Sequence, residues 1–284
     1  MRLNPFDTSN IRVGGGGGGG FPGGGGGQLG CGAIVIALIG ALVFGIDPTQ
    51  MLGGMQGVQQ GPGQEQQGQM TEQQLCTMNE YATEACNTLQ SLNQTWEPLF
   101  QQANIPFEQP TLWFYSGGVR SGCGSASSSA GPFYCPADQT MYIDTGFYDE
   151  MQQKLGTGPG DFARFYVVAH EYGHHVQNLT GVAGQISSLQ QQDPSRANAL
   201  SVMLELQADC YAGVWAGKNR NLIEPGDFEE GMQAASAIGD DKLTGGRVSA
   251  ENFTHGTSQQ RMQALRLGME SSDDTQCDRI TQVR

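Results

Sequence analysis

The chain has 284 residues, enough for one sizeable domain with flanking segments. Only 15% of residues are charged and the net charge is −14, so there is no basic excess to neutralise phosphates, which argues against a nucleic-acid partner. Glycine is abundant but clustered, which divides the chain before any motif is considered.

Residues 1–28 are polar and then glycine-rich, with runs at Gly14–Gly20 and Gly23–Gly27. Such a stretch cannot bury a core and loses much entropy on ordering, so a disordered tail is expected. No lysine follows the glycines and no strand precedes them, which removes a phosphate-cradling loop. Residues 29–46 are apolar throughout. Eighteen helical residues span roughly 27 Å, close to a bilayer core of about 30 Å. A cleaved signal peptide is the rival reading, but the leader is long and no Ala-x-Ala follows. An uncleaved single-pass anchor is therefore expected, with Arg2 and Arg12 placing the N-terminus in the cytoplasm. The implied location is a cell membrane, with the remainder of the chain on the extracytoplasmic side. Residues 47–74 are rich in Gln and Gly and read as a linker, leaving 75–284 as the folded domain.

That domain holds six cysteines: Cys76, Cys86, Cys123, Cys135, Cys210 and Cys277. An even number in an exported segment suggests disulfides, and no Cys-x-x-Cys points to a metal instead. Pairing near neighbours gives 76–86 and 123–135, with 210–277 by elimination, although spacing alone leaves the connectivity open. Cys76 and Cys86 cannot pair within one straight helix, because ten residues rise about 15 Å and a disulfide allows about 7 Å between Cα atoms. If they pair, the helix begins after Cys76, with Asn79 as its cap.

From there to Ala103 the apolar residues recur at helical steps. Thr111–Tyr115 reads as a strand, 116–131 as a Gly/Ser loop, and Phe133–Cys135 with Gln139–Asp144 as a hairpin. Helices packed on a small antiparallel sheet are the expected architecture. The strand at 139–144 is expected to border the cleft and to offer an edge to an extended substrate.

The next helix contains His170-Glu171-x-x-His174. His170 and His174 lie one turn apart on one face, so both imidazoles can reach one ion. Glu171 lies about 100° round the helix, free to act on water. A chance match on a surface helix is the competing explanation. Against it, Val167, Val168 and Ala169 make the preceding turn apolar, and three of the chain's four histidines fall here. A second long helical pattern, 194–217, carries Glu205 and Asp209 four apart in apolar surroundings. Glu205 is the expected third ligand of a single Zn2+, and Asp209 the carboxylate that orients an imidazole. Gln177 and Thr180 stand where a metzincin would have Gly and His, which excludes that class. Pro225–Ile238 and 259–270 read as the last helices. His255 lies in the turn before the final one, and is a candidate donor to the oxyanion of a tetrahedral intermediate, with Arg261 as its rival.

Four segments together, Phe133–Asp144, Ala169–Asn178, Glu205–Cys210 and Phe253–Arg261, resemble the bacterial neutral zinc metallopeptidase family, membrane-anchored proteins of the gluzincin type. The resemblance spans roughly residues 71–284. It implies a zincin-like α+β fold, mainly helical, with a small antiparallel sheet preceding the His-Glu-x-x-His helix. It further implies zinc held by His170, His174 and Glu205, with Glu171 as base and a protein or peptide as substrate. One departure is visible: Ala264 and Leu265 stand where the family tends to have aromatics. A membrane-tethered assembly protein with a structural zinc is the alternative, and it would need a fourth protein ligand.

Overall fold

The computed structural model describes residues 1–16, 70–149 and 160–282. In chain order these hold β1 (Arg12–Gly15), α1 (Glu72–Cys76), α2 (Glu80–Ala103), β2 (Thr111–Tyr115), β3 (Gly118–Ser121), β4 (Gly124–Ser127), β5 (Phe133–Cys135) and β6 (Thr140–Asp144). There follow α3 (Phe162–Leu179), α4 (Val182–Gln192), α5 (Ala197–Lys218), α6 (Asp227–Ala237), α7 (Asp240–Leu243), α8 (Ser258–Ser271) and α9 (Asp274–Asp278). The fold is α+β and mainly helical, as expected.

The larger sheet has the order β1-β2-β6-β5. β5 and β6 form the expected antiparallel hairpin, but β1 joins β2, and β2 joins β6, in parallel, so this sheet is mixed. β6 is therefore paired on both sides, which removes the expectation that it offers an edge to substrate. Among the described strands, β5 is the edge on that side, and it packs against α3. The Gly/Ser stretch expected as a loop contains a second, two-stranded antiparallel sheet of β3 and β4. The Cys123–Cys135 disulfide ties that hairpin to β5.

The expected disordered tail requires correction. Residues 1–16 belong to the domain: β1 is a strand of the main sheet, and Met1, Ile11 and Val13 are buried. The physical reason is that this segment contributes main-chain hydrogen bonds, which its polar composition does not advertise. Among the described residues no helix is long and apolar enough to cross a membrane. The expected anchor at 29–46 lies outside them, as do the rest of the glycine runs and all but the last few residues of the linker.

α2 begins where the disulfide argument requires. Asn79 caps it, its side chain accepting from the Ala82 N–H at 2.8 Å, and α1 ends at Cys76. The three disulfides are Cys76–Cys86, Cys123–Cys135 and Cys210–Cys277. Leu89, Leu92 and Trp96 of α2 are buried in the main core with Tyr172 of α3 and Trp215 of α5. Arg164 grips Glu84 through Nε and Nη2 at 2.5 and 2.6 Å, fixing the start of α3 to α2. α5 is the central helix, packed by α3 on one flank and α8 on another. The α5–α8 contact is backbone against backbone: a β-carbon on Gly268 would fall 2.0 Å from the Cys210 carbonyl oxygen.

Candidate metal centre

α3 is buried along most of its length, and its apolar start, Phe162 to Ala169, carries His170 and Glu171 into the core. A glycine, Gly173, follows in the next turn. A β-carbon there would lie 2.8 Å from the Cα and carbonyl oxygen of Ala208 on α5, so the two helices touch at this point. Gly173 precedes His174 by one residue, and Ala208 stands between Glu205 and Asp209. This close crossing brings the two motifs together.

Glu205 reaches both imidazoles, with Oε2 3.2 Å from His170 Nε2 and Oε1 3.5 Å from His174 Nε2. One ligand atom from each of the three residues lies within 4.8 Å of the other two. The outer ring nitrogens are committed elsewhere. His170 Nδ1 is 2.8 Å from Asp209 Oδ1, and His174 Nδ1 is 2.9 Å from Gln177 Oε1. Both partners are acceptors, because Gln177 spends its NH2 on the Leu204 carbonyl at 2.7 Å and on Gln207 Oε1 at 3.1 Å. Each Nδ1 therefore carries a proton, and each Nε2 is the ring nitrogen directed at Glu205.

Asp209 is fully buried and is a hub. Besides His170 it accepts from the Tyr166 hydroxyl at 2.5 Å and from Arg261 through Nε at 2.8 Å and Nη2 at 2.9 Å. Burial opposes its ionisation, but the Arg261 guanidinium and then His170 overrule this and hold the carboxyl below its ordinary value. Glu205 behaves alike. Burial raises its pKa, yet His174, His170 and His255 together hold it well below the usual carboxylate range. Glu171 goes the other way: burial is the largest influence, and its pKa is raised despite the neighbouring histidines. The site thus separates two carboxylates by environment, one kept ionised and one able to hold a proton.

His255 is buried and close enough to Glu205 for its charge to act on that carboxyl. Asp240 at the start of α7 accepts the backbone N–H groups of Thr254, His255 and Gly256 on Oδ2, at 2.8, 2.7 and 3.1 Å. Its Oδ1 lies 2.9 Å from His255 Nδ1. His255 Nε2 is buried without a hydrogen-bond partner among the described residues. Arg261, the rival donor, is engaged by Asp209 and the Ile238 carbonyl, and its Nη2 also lies 3.4 Å from His170 Nε2 and 3.7 Å from Glu205 Oε2. His175 is committed away from the centre, to the Glu108 carbonyl at 2.7 Å and the Tyr134 hydroxyl at 3.0 Å.

The structure thus brings His170, Glu171, His174, Glu205, Asp209 and His255 into one neighbourhood. Sequence reasoning missed Gln177, Tyr166 and Asp240. Gln177 was within reach of pattern reading, three residues after His174 on the same face. Asp240 was not, because nothing local links it to a histidine fifteen residues on.

A family model described as "Putative neutral zinc metallopeptidase" matches residues 5–280. The uncharacterised protein YpfJ of Escherichia coli is 43% identical over 251 residues, covering 86% of this chain and 84% of its own. An uncharacterised protein of Mycobacterium tuberculosis is 42% identical over 203 residues, covering 66% of this chain and 67% of its own. No solved structure matches.

Proposed function

We propose that this chain, which belongs to the neutral zinc metallopeptidase family, hydrolyses peptide bonds at the centre formed by α3 and α5. The observation that carries this reading is the convergence of His170 Nε2, His174 Nε2 and Glu205 beside the buried carboxyl of Glu171. Two imidazole nitrogens and a carboxylate fit zinc, and their Nδ1–H groups are already given to Asp209 and Gln177, the tautomer a ligand needs. Among the described residues the cluster has three members, whereas a closed structural site takes four, which favours a catalytic centre. Zinc, when bound, supplies a Lewis acid that acidifies water and polarises the scissile carbonyl.

Glu171 takes the proton of the attacking water and returns it to the departing amine. Its raised pKa suits both halves of that task. Asp209, locked by Arg261 and Tyr166, holds the His170 ring in place. His255 presents Nε2 to the oxygen of the carbonyl under attack. With Nδ1–H given to Asp240, Nε2 donates when the ring carries both protons. The three disulfides support placing the domain in an oxidising compartment outside the cytoplasm.

The test is metal analysis and peptide-library cleavage by wild type beside Glu171→Gln. The variant is expected to keep its zinc and to lose hydrolysis. Normal cleavage by Glu171→Gln would overturn the proposal.

A further inference from the structure

The domain is built to receive the segment Met1–Gly16. β1 adds to β2 with Arg12 opposite Thr111 and Gly15 opposite Phe114. Ahead of the strand, α2 offers three side-chain amides at steps of three residues. Asn87 Oδ1 accepts from the Phe6 N–H at 2.9 Å, and Gln90 Oε1 accepts from the Asp7 N–H at 2.6 Å. Gln90 Nε2 donates to the Pro5 carbonyl and Asn93 Nδ2 to the Asn10 carbonyl, each at 3.1 Å. Gln90 and Asn93 are buried, and buried amides are costly to leave unpaired. Asn93 also accepts from the hydroxyl of Tyr172, two residues before His174, at 2.9 Å. The segment is thereby joined to the helix that carries the metal centre.

The apolar stretch 29–46 lies between β1 and β2 in sequence. Paired strands are about 4.8 Å apart, whereas a bilayer core is about 30 Å thick, so two neighbouring strands cannot lie on opposite sides of one. Eighteen apolar residues suffice for one crossing, and one crossing would separate β1 from β2. The arginines that spoke for a cytoplasmic N-terminus are occupied on the domain. Arg2 Nε is 2.6 Å from Glu224, and Arg12 Nη1 is 3.2 Å from Glu108.

We infer that Met1–Gly16 and the metal-centre domain share one compartment. The arrangement with the N-terminus inside and the domain outside is the one this excludes. Strand pairing carries the placement whether or not the domain is a peptidase.

The experiment uses the full chain in its native membrane or cell fraction. The background is Cys31→Ser, which removes the one cysteine of seven outside the three disulfides. A reporter thiol is placed in the exposed segment as Ser9→Cys or Asn4→Cys, and in the domain as Gln101→Cys. A membrane-impermeant maleimide is applied to intact spheroplasts and to lysed ones. Either N-terminal thiol should show the same protection as Gln101→Cys. Separately, Arg12→Cys with Glu108→Cys should be bridged within one chain by a short bis-maleimide before lysis. Opposite protection of the two ends, or no bridging in protein that labels normally at Gln101→Cys, would overturn the inference.

Discussion

Gly173 and Ala208 meet where α3 crosses α5, with a β-carbon on Gly173 coming 2.8 Å from the Ala208 Cα. The contact is with backbone, which cannot swing aside as a side chain would. Each residue stands within one of the two motifs, so the separation of the helices here sets the distance from Glu205 to the two imidazoles.

Gly173→Ala therefore sets two effects against each other. Alanine gains up to about 1 kcal/mol of helix propensity over glycine. Overpacking against fixed backbone costs about 1–3 kcal/mol. Net destabilisation is expected, with weaker zinc binding because the helices must separate. Urea denaturation and a zinc titration check this. An alanine variant as stable as wild type, with unchanged zinc affinity, would show that the crossing does not set the site.

Glu205→Ala removes one of three converging donors and should lose most of the zinc. Asp209→Asn should keep zinc but bind it about 10–100-fold more weakly, since the His170 ring loses its charged partner. It also leaves buried Arg261 without its carboxylate, so a fall in stability should accompany it. Metal content after dialysis against a graded chelator separates the two variants. Full zinc retention by Glu205→Ala would move the third ligand elsewhere.

His255→Ala and Arg261→Met should differ in kind. His255 offers an uncommitted Nε2, so its loss should leave zinc content intact and lower turnover by roughly a hundredfold or more. Arg261 is tied to Asp209, so its loss should appear as lower stability and weaker zinc binding. Steady-state kinetics beside metal analysis decides. Equal turnover in His255→Ala and wild type would reduce His255 to a ring that secures its turn.

His175 gives the fold a dependence on pH. Burial is the main cause that lowers its pKa to about 4, and the Glu108 carbonyl only partly opposes this. In the unfolded chain the ring takes up a proton near pH 6.5. The unfolded state therefore binds more protons between these values, and stability falls as pH drops from about 6.5 to about 4. The full loss is on the order of 3 kcal/mol for this group. Denaturation curves at several pH values should show His175→Gln with a shallower decline over that window. Parallel declines would remove His175 as the cause.

The four-residue steps of His170–His174 and Glu205–Asp209 were legible in sequence because helix geometry is local: spacing alone decides which side chains share a face. The cap at Asn79 followed from the covalent reach of Cys76–Cys86, another local constraint. The site's supports were not legible. Arg261 reaches Asp209 across fifty-two residues, and His255 meets Asp240 only because the turn before α8 folds back over α7. The N-terminal segment was hidden for a different reason. Hydrophobic patterning reports side chains, whereas β1 is held largely by main-chain bonds to β2, and the residues ahead of it by the amides of α2. Periodicity thus determined which residues could act together. Only packing decided what holds them there, because a backbone hydrogen bond or a glycine crossing leaves no periodic trace in the residues that make it.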